Sequence, residues 1–451
     1  LQEQCEQWIS GVKNFPQSYL SLLEGKPVTG LDAVHQELNK GNSTLPESLA
    51  GFFIANNPKG TIAIQGPPGS GKTTNIASFI FHMVKAGKRI AVSGNSHNVI
   101  NNILQKTSQT FKENGLDKAI IKLDSKPKKE ERDAFKDSLI SIKSVDKTTG
   151  EEQIVGGTAW QLMKPRMENR FDILIIDEAG QVSLAHLLVM AQCSNEILLV
   201  GDQQQLSQPT KAKHENHTGL SSLEYFLQGE KVISPNKGFF QNISFRMETS
   251  MTHDVSRMYY ENKLKPYVDN ELNQIKWRIN PKDYLGKPLQ HKGIIFDHVF
   301  HKDCRIHCEE EGLRIKTLVK CLLGSIYFVN KEGELFSKGI TSEDIIVTAP
   351  FNRQTNYLKG CLKGLARVGT VDKFQGQESA VAIHSLTCSS IDSAPRGTGF
   401  LFHDRFNVAI SRAKCLTIVV GCPTLAQGKV NTIKEAEELN RLCYIMHRSN
   451  N

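Results

Sequence analysis

The segment from Gly66 to Thr73 has the residue types and spacing of a phosphate-binding loop. It reads Gly-Pro-Pro-Gly-Ser-Gly-Lys-Thr and follows the apolar run from Thr61 to Ile64. Its glycines let main-chain N–H groups point at phosphate oxygens, its lysine can reach the β- and γ-phosphates, and its threonine hydroxyl can bind Mg²⁺. We therefore predict a site for a nucleoside triphosphate and Mg²⁺. The residues predicted to hold the phosphates are Gly66, Pro67, Pro68, Gly69, Ser70, Gly71, Lys72, Thr73 and Thr74.

Two further groups of polar residues each follow a buried strand. Asp177 and Glu178 come after Ile173–Ile176, and the first can hold Mg²⁺ while the second orients or deprotonates the attacking water. Adjacent acids at a strand end are often only a helix cap, but downstream of a phosphate loop they favour hydrolysis. Gly201-Asp202-Gln203-Gln204-Gln205-Leu206 follows Ile197–Val200, and a glutamine there can contact both the γ-phosphate and the water.

Alternating strands and helices must position these residues. Buried, wholly apolar strands separated by helices indicate parallel sheets with helices on both faces. About eight such strand–helix units are too many for one sheet, so we expect two α/β domains. The predicted strands are Thr61–Gln65, Arg89–Ser93, Ala119–Leu123, Ile173–Ile176, Ile197–Val200, Ile345–Thr348, Ala380–Ser385 and Leu416–Val420. The predicted helices are Ser96–Leu104, Leu184–Ala191 and Arg353–Leu362.

The expected organisation is a helical accessory region at residues 1–54, a first domain at 55–240 and a second at 241–451. Residues 106–153 are lysine-rich and hydrophilic. They are interpreted as a small insertion or a flexible arm, or else as the solvated face of a charged helix. Residues 265–300 read as irregular, because they contain three prolines.

Composition sets broad limits on the kind of protein. The chain has 451 residues, a net charge of +8 and ten cysteines without a framework spacing. The positive charge has the sign that suits a nucleic-acid partner. Apolar runs are too short for a membrane span and no export signal opens the chain, so we expect a cytoplasmic protein with reduced cysteines and no membrane partner. Because the chain begins at Leu1, we also expect a fragment of a longer polypeptide.

One group of residues has the side chains of a zinc site. His301, Cys304, His307 and Cys308 lie close together, but their spacing does not match a zinc finger. An alternating strand would place Cys304 and His307 on opposite faces. The sequence therefore favours ordinary strand residues over a metal site.

The order of motifs resembles the superfamily 1 helicases, and within them the 1B branch that includes the nonsense-mediated-decay helicase and nuclease-fused DNA-replication helicases. The resemblance covers about residues 60–425. Besides the loop and the acidic pair, it rests on Gly201–Leu206, Phe245-Arg246-Met247, Ala349–Gln354, Gly369–Glu378 and Asn407–Lys414. Within this branch, the sequence is most similar to helicase modules that follow a RecB-like nuclease.

The resemblance implies two RecA-like domains that couple ATP hydrolysis to movement along a strand. It implies that Gln205 senses the γ-phosphate and that Arg246 and Arg412 of the second domain contact that phosphate. It also implies that Phe245 packs on adenine and that Glu378, in the segment containing Gly376, contacts the ribose. ATP and Mg²⁺ are then the cofactors, and a single chain is the expected motor.

The same resemblance implies binding to single-stranded nucleic acid, with DNA favoured over RNA, and 5′-to-3′ movement. Hydroxyls, amides and main-chain N–H groups suit contacts to phosphate that do not read bases. Each such residue is also an ordinary turn or cap residue. The residues at the matching positions are Ser93, Asn95, Ser96, Asn98, Pro209, Thr210, Thr370 and Lys373.

Two departures from the family pattern concern the base and the second domain. Leu49 stands where a glutamine that reads the adenine edge is expected, which puts adenine selectivity in doubt. Glu248-Thr249 replaces the usual His-Pro after the Arg-Met pair. Two alternatives remain open: an RNA or RNA–DNA helicase of the same fold, and a nucleotide-gated switch that binds nucleic acid or protein without unwinding.

Overall fold

The computed structural model describes residues 6, 10–11, 14–41, 43–208, 215, 218–331, 334–392, 394–395 and 397–450. The chain forms two compact units. The first comprises Leu1–Gly66, Gly71–Gln203 and Ser207–Gln241. The second comprises Pro67–Ser70, Gln204–Leu206 and Asn242–Asn451.

The first unit is built on an eight-stranded sheet whose pairings are all parallel. Its strands are β1 (Thr61–Gln65), β2 (Ile90–Gly94), β3 (Ile120–Leu123), β4 (Ile140–Lys143), β5 (Ile154–Gly156), β6 (Ile173–Asp177), β7 (Ile197–Gly201) and β8 (Gly238–Phe240). Their order across the sheet is β4-β3-β5-β2-β6-β7-β1-β8. Because all strands run the same way, their carboxyl ends meet at one edge.

Helices cover both faces of this sheet. Successive strand residues point to opposite faces, so Ala63 packs in one apolar cluster while Ile62 and Ile64 pack in the other. The helices are α1 (Gln17–Glu24), α2 (Leu31–Lys40), α3 (Leu45–Asn56), α4 (Lys72–Lys85), α5 (His97–Glu113), α6 (Lys129–Phe135), α7 (Ala159–Leu162), α8 (Leu184–Ala191) and α9 (Ser222–Leu227). Gly25 and Gly41 end the first two of these helices in left-handed conformations.

The lysine-rich stretch at residues 106–153 is part of the sheet rather than a separate insertion or arm. It completes α5 and supplies β3, α6 and β4. Ile120 and Ile140, which pair across β3 and β4, are both buried. The hydrophilic composition was misleading because most of the lysines lie outside these strands and are exposed, whereas all four residues of β3 are buried.

The second unit contains a five-stranded parallel sheet of order β12-β18-β17-β15-β16 and a three-stranded antiparallel sheet of order β11-β13-β14. Its strands are β9 (Ile243–Ser244), β10 (Lys265–Pro266), β11 (Gln274–Lys276), β12 (Gly293–His298), β13 (Ile326–Lys331), β14 (Glu334–Gly339), β15 (Ile345–Ala349), β16 (Arg367–Thr370), β17 (Ser379–Ser385) and β18 (Ala413–Gly421). Its helices are α10 (Thr249–Tyr259), α11 (Glu309–Leu322), α12 (Asn352–Leu362), α13 (Gly397–Phe402), α14 (Asp404–Ile410) and α15 (Ile433–Asn450).

Each unit therefore has the RecA-like architecture of a parallel sheet flanked by helices, as the sequence predicted. The bounds predicted for β1 and α8 are confirmed to the residue. The prediction of a strand through His301 and Cys308 was wrong, because these residues form the loop between β12 and α11. In the part of the chain that the structure describes, no helix combines the length and apolar composition needed to cross a membrane.

Candidate active site

The loop after β1 turns back on itself and delivers the chain into α4. Gly69 and Gly71 have φ angles of +74° and +78°, a region in which residues with a side chain are strained. A Cβ on Gly66 would lie 2.2 Å from Cγ of Lys72, whose ammonium donates a hydrogen bond to the Gly66 carbonyl. The loop thus places Lys72 at the first turn of α4, where helix N–H groups and a cation together favour a bound anion.

The acidic pair lies at the carboxyl end of β6. Asp177 is 6 % exposed, and β2 pairs its last residue, Gly94, with it. Burial and the neighbouring Glu178 carboxylate raise the pKa of Asp177 to about 7, and Lys72 offsets this only in part. Asp177 Oδ1 accepts no hydrogen bond from the described residues, although a main-chain hydrogen bond from Glu178 to this carboxyl group favours its charged form. A buried carboxylate oxygen of this kind fits a ligand for a cation.

Glu178 leaves β6 in a left-handed conformation, with φ of +51°. Such a conformation is costly for glutamate and is found where the surrounding structure enforces it, often at functional sites. Its carbonyl accepts a hydrogen bond of 2.8 Å from Gln181 N–H, which closes a short 3₁₀ turn. The side chain is partly exposed, so it differs from the buried Asp177 in its access to water.

The end of β7 packs tightly against that turn. A Cβ on Gly201 would lie 3.0 Å from the main-chain nitrogen of Ala179. Gln65, at the end of β1, accepts from Ile233 N–H at 2.8 Å and donates to the Lys231 carbonyl at 3.0 Å. The phosphate loop, the acidic pair and the glutamine-rich turn therefore start from neighbouring strand ends at one sheet edge, which is where ligands bind in such sheets.

In the second unit, Arg246 is held by an acid and a carbonyl. Its Nε donates to Glu378 Oε2 at 3.1 Å and its Nη1 donates to the Ser411 carbonyl at 3.2 Å. Glu378 also pairs with Lys414 at 2.6 Å. Burial alone would raise the pKa of Glu378, but the two cations outweigh it and lower that pKa. The loop residue Gly69 belongs to this unit, and a Cβ on it would lie 2.5 Å from Cβ of Arg246.

Arg412 is 1 % exposed and satisfies its guanidinium with main-chain oxygens. It donates to the carbonyls of Val408 at 2.8 Å and Gln377 at 3.2 Å. Its Nη2 lies 3.5 Å from Oε1 of Gln205, which groups with the second unit. The structure thus brings together the predicted sensor glutamine and one predicted arginine.

Phe245 is 55 % exposed, and its ring centre lies 5.2 Å from that of Tyr267. Its amide donates to the Gly69 carbonyl at 2.9 Å, which holds the ring beside the loop. Leu49, in contrast, is fully buried in α3 and presents no polar group. Gly376 occupies an exposed turn with φ of +74°.

The residues predicted to contact nucleic acid have unequal access. Ser93 is fully buried and its hydroxyl donates to the Gly157 carbonyl at 2.7 Å. Asn95 is exposed and donates to the Gln181 side chain, while Ser96 caps α5 by accepting from Val99 N–H. Asn98 and Lys373 are exposed and Thr370 is partly buried. Pro209 and Thr210 lie outside the described residues.

The structural roles of two residues near these motifs were not predicted from the sequence. Gln241, which follows β8, lies against the loop, since its Oε1 would be 2.9 Å from a Cβ on Gly66. Glu248 accepts from the main-chain nitrogens of Ser250 and Met251 and so caps α10. The cap explains the Glu-Thr pair, because glutamate before a helix satisfies free N–H groups and favours the positive end of the helix.

Comparisons with known proteins match most of the chain. Two protein-family models, each described as an AAA domain, match residues 52–214 and 221–424. DNA replication ATP-dependent helicase/nuclease DNA2 of Xenopus laevis is 26 % identical over 439 residues, which cover 91 % of this chain and 40 % of that protein. DNA polymerase alpha-associated DNA helicase A of Schizosaccharomyces pombe is 26 % identical over 429 residues, covering 83 % and 62 %.

Among solved structures, the Arterivirus nonstructural protein 10 helicase in complex with DNA aligns at a TM-score of 0.45 and 14 % identity. The alignment covers 84 % of this chain and 63 % of that one. The chain thus spans less than two thirds of the length of each of these relatives.

Proposed function

We propose that this chain, a member of the superfamily 1 helicases, hydrolyses ATP in order to move along single-stranded DNA and unwind duplex DNA. The observation that carries the proposal is the arrangement at one sheet edge, where Lys72 after β1 and the buried Asp177 at the end of β6 come from the two strands that flank β7. The names of the relatives, which are DNA helicases, support the choice of DNA.

For hydrolysis, we assign the phosphates to the main-chain N–H groups from Gly66 to Thr74 and to Lys72. Thr73 and Asp177 would hold Mg²⁺, and the unpartnered Oδ1 of Asp177 supports this assignment. Mg²⁺, when bound, supplies positive charge that offsets the charge on the β- and γ-phosphates. Glu178, which is partly exposed, orients and deprotonates the attacking water.

The second unit would supply groups that respond to the γ-phosphate. We assign Gln205, Arg246 and Arg412 to this role, because guanidinium groups stabilise the charge of the transferring phosphate. The exposed ring of Phe245 would pack on the base and Glu378 would lie near the ribose. With Leu49 buried in α3, stacking rather than a polar contact from that position would hold the base.

Contacts with DNA are assigned to the exposed residues among the predicted set. Asn95, Asn98 and Lys373 are exposed and suit contacts to backbone phosphates. Ser93 would act by holding the loop after β2, since its hydroxyl is bound to Gly157. Movement in the 5′-to-3′ direction, action as a monomer and a covalently linked nuclease, as in the name of the Xenopus laevis relative, belong to the same proposal.

The test is ATPase activity measured with and without single-stranded DNA and RNA oligonucleotides, together with strand displacement on duplexes carrying 5′ or 3′ tails. We expect strong stimulation by DNA and displacement only of the duplex with a 5′ tail. Lys72→Ala is the matched control and should lose both activities while keeping its melting temperature. Stimulation by RNA alone would show that the substrate is RNA and not DNA. Slow hydrolysis whose rate nucleic acid does not change would indicate a nucleotide-gated switch that does not unwind duplexes.

A further inference from the structure

The loop between β12 and α11 gathers metal-binding side chains that play no part in the proposed ATPase. One ligand atom each of His301, Cys304 and Cys308 lies within 4.8 Å of the others. This packing arises because the loop curls under the amino end of α11, where Cys308 is the residue before the helix. We propose that these three side chains, with the carboxylate of Glu310, bind a Zn²⁺ ion.

The distances around Glu310 are those of ligands that share one ion. Its Oε2 lies 3.4 Å from Sγ of Cys308 and 4.0 Å from Sγ of Cys304. In tetrahedral zinc sites the bonds are about 2.3 Å to sulfur and 2.0–2.2 Å to oxygen, so neighbouring ligand atoms lie roughly 3.6 Å apart. Only small side-chain movements would therefore bring the two thiolates and the carboxylate onto one ion.

His301 already has the second partner that metal-bound histidines have. Its side chain is fully buried, and its Nε2 lies 2.9 Å from Oε1 of Glu311. A carboxylate only accepts, so Nε2 carries the proton and Nδ1 carries the lone pair. Nδ1 lies 2.7 Å from the Ser389 hydroxyl, which also accepts from the Cys304 N–H. A zinc ion would replace that hydroxyl as the partner of Nδ1.

Glu311 is fixed well enough to orient the imidazole. It is fully buried and accepts from the Thr387 N–H at 3.0 Å and from the Ser385 hydroxyl at 2.5 Å. These donors come from the end of β17 and the residues after it. The carboxylate–histidine pair is thus built into the second unit and does not depend on the surface of the loop.

The charges around the thiols favour a cation. Nearby carboxylates oppose a free thiolate, whereas a divalent ion would pair with both thiolates and the carboxylates at once. Two thiolates with an imidazole select zinc over Mg²⁺ or Ca²⁺, which prefer oxygen ligands.

A second cluster of possible metal ligands, in the first unit, already has a positively charged partner. His97, Asp124 and Glu131 also lie close together, but Nζ of Lys122 is 2.8 Å from His97 Nδ1 and 3.9 Å from Glu131 Oε1. The protein's own ammonium provides the positive charge there.

The test begins with zinc content. The purified, reduced chain should contain one zinc per molecule by mass spectrometry of the metal. After exchange with Co²⁺, it should show the absorption bands of thiolate-bound tetrahedral cobalt. Cys304→Ser and Cys308→Ser should each lose the metal and these bands. Cys361→Ser, which changes a half-buried cysteine of the same unit, should keep them.

A second measurement does not depend on whether the variants fold. In the parent chain, zinc should slow alkylation of Cys304 and Cys308, mapped by peptide mass, and leave alkylation of Cys361 unchanged. A reduced parent chain that holds no zinc and gives no cobalt–thiolate bands would overturn the proposal. So would a metal content that neither serine variant changes, because the ion would then lie elsewhere.

Discussion

The substitution Asp177→Asn tests two effects of this carboxyl group separately: its buried charge lowers the stability of the fold, and it serves as the proposed Mg²⁺ ligand in ATP hydrolysis. The folded chain holds the Asp177 proton up to a pKa of about 7, whereas the ordinary value is 3.8. Between these values the folded state binds more protons than the unfolded state, so stability falls as pH rises through this window. Each pKa unit corresponds to about 1.4 kcal/mol, so above pH 7 ionised Asp177 costs up to about 4 kcal/mol.

Asparagine removes the charge at little cost, because no donor among the described residues bonds to Asp177 Oδ1. At pH 8 in EDTA and without nucleotide, we expect Asp177→Asn to raise the Tm of the first unit by roughly 8 to 16 °C. The gain should shrink toward zero as the pH approaches 3.8. ATPase activity with Mg²⁺ should be lost, because the proposed metal ligand is gone.

Glu196→Gln is the matched control. Glu196 is 2 % exposed, burial raises its pKa to about 7, and its Oε1 lacks a hydrogen-bond partner among the described residues. It directly precedes β7 and therefore lies at the opposite edge of the sheet from Asp177. We expect a similar gain in Tm at pH 8, with ATPase activity retained.

Differential scanning fluorimetry at several pH values, with an ATPase assay on the same samples, measures both effects. A lower Tm for Asp177→Asn than for the parent at pH 8 in EDTA would refute the burial argument. Parent-level hydrolysis by Asp177→Asn would refute its role as a metal ligand.

Three further predictions concern the acidic pair and the second unit. Glu178→Gln should lower kcat by about 10² to 10⁴-fold while nucleotide affinity, measured by fluorescence titration, is unchanged; a kcat near that of the parent would remove Glu178 from water activation. Arg246→Ala should lower kcat by about 10³-fold or more with nucleotide affinity retained, and loss of binding with activity would instead mark Arg246 as structural. Glu248→Ala should lower the free energy of unfolding of the second unit by about 1 kcal/mol, because α10 loses its cap. Glu261→Ala, at an exposed position, is the control. Calorimetry that shows no change for Glu248→Ala would contradict this reasoning.

The first unit was largely predictable because its strands are buried on both faces. Such strands read as continuous apolar runs, and the polar residues that end them mark one sheet edge. Thr61–Gln65 and Ile173–Asp177 illustrate this. The phosphate loop and acidic pair follow directly from those runs, which is why their residues were found without the structure.

Other features depend on contacts that no local pattern records. The hydroxyl of Ser93 looks available in the sequence, but its partner is the carbonyl of Gly157, which directly follows β5. The residues from His301 to Cys308 were wrongly predicted to form a strand, because an alternating pattern of side chains does not distinguish a strand from the loop that precedes a helix. Gln241 gave no signal, since its position beside Gly66 arises only from the pairing of β8 with β1.

The strand order of the first sheet limits the order in which its strands can pair while the protein is being synthesised. β1 emerges early, but its two neighbours in the sheet, β7 and β8, are more than a hundred residues further along the chain. At about 5–20 residues per second, β7 is synthesised roughly 7 to 26 s after β1. The strand that carries the phosphate loop is thus an unpaired apolar segment on the nascent chain, and the nucleotide site is among the last parts of its unit to form.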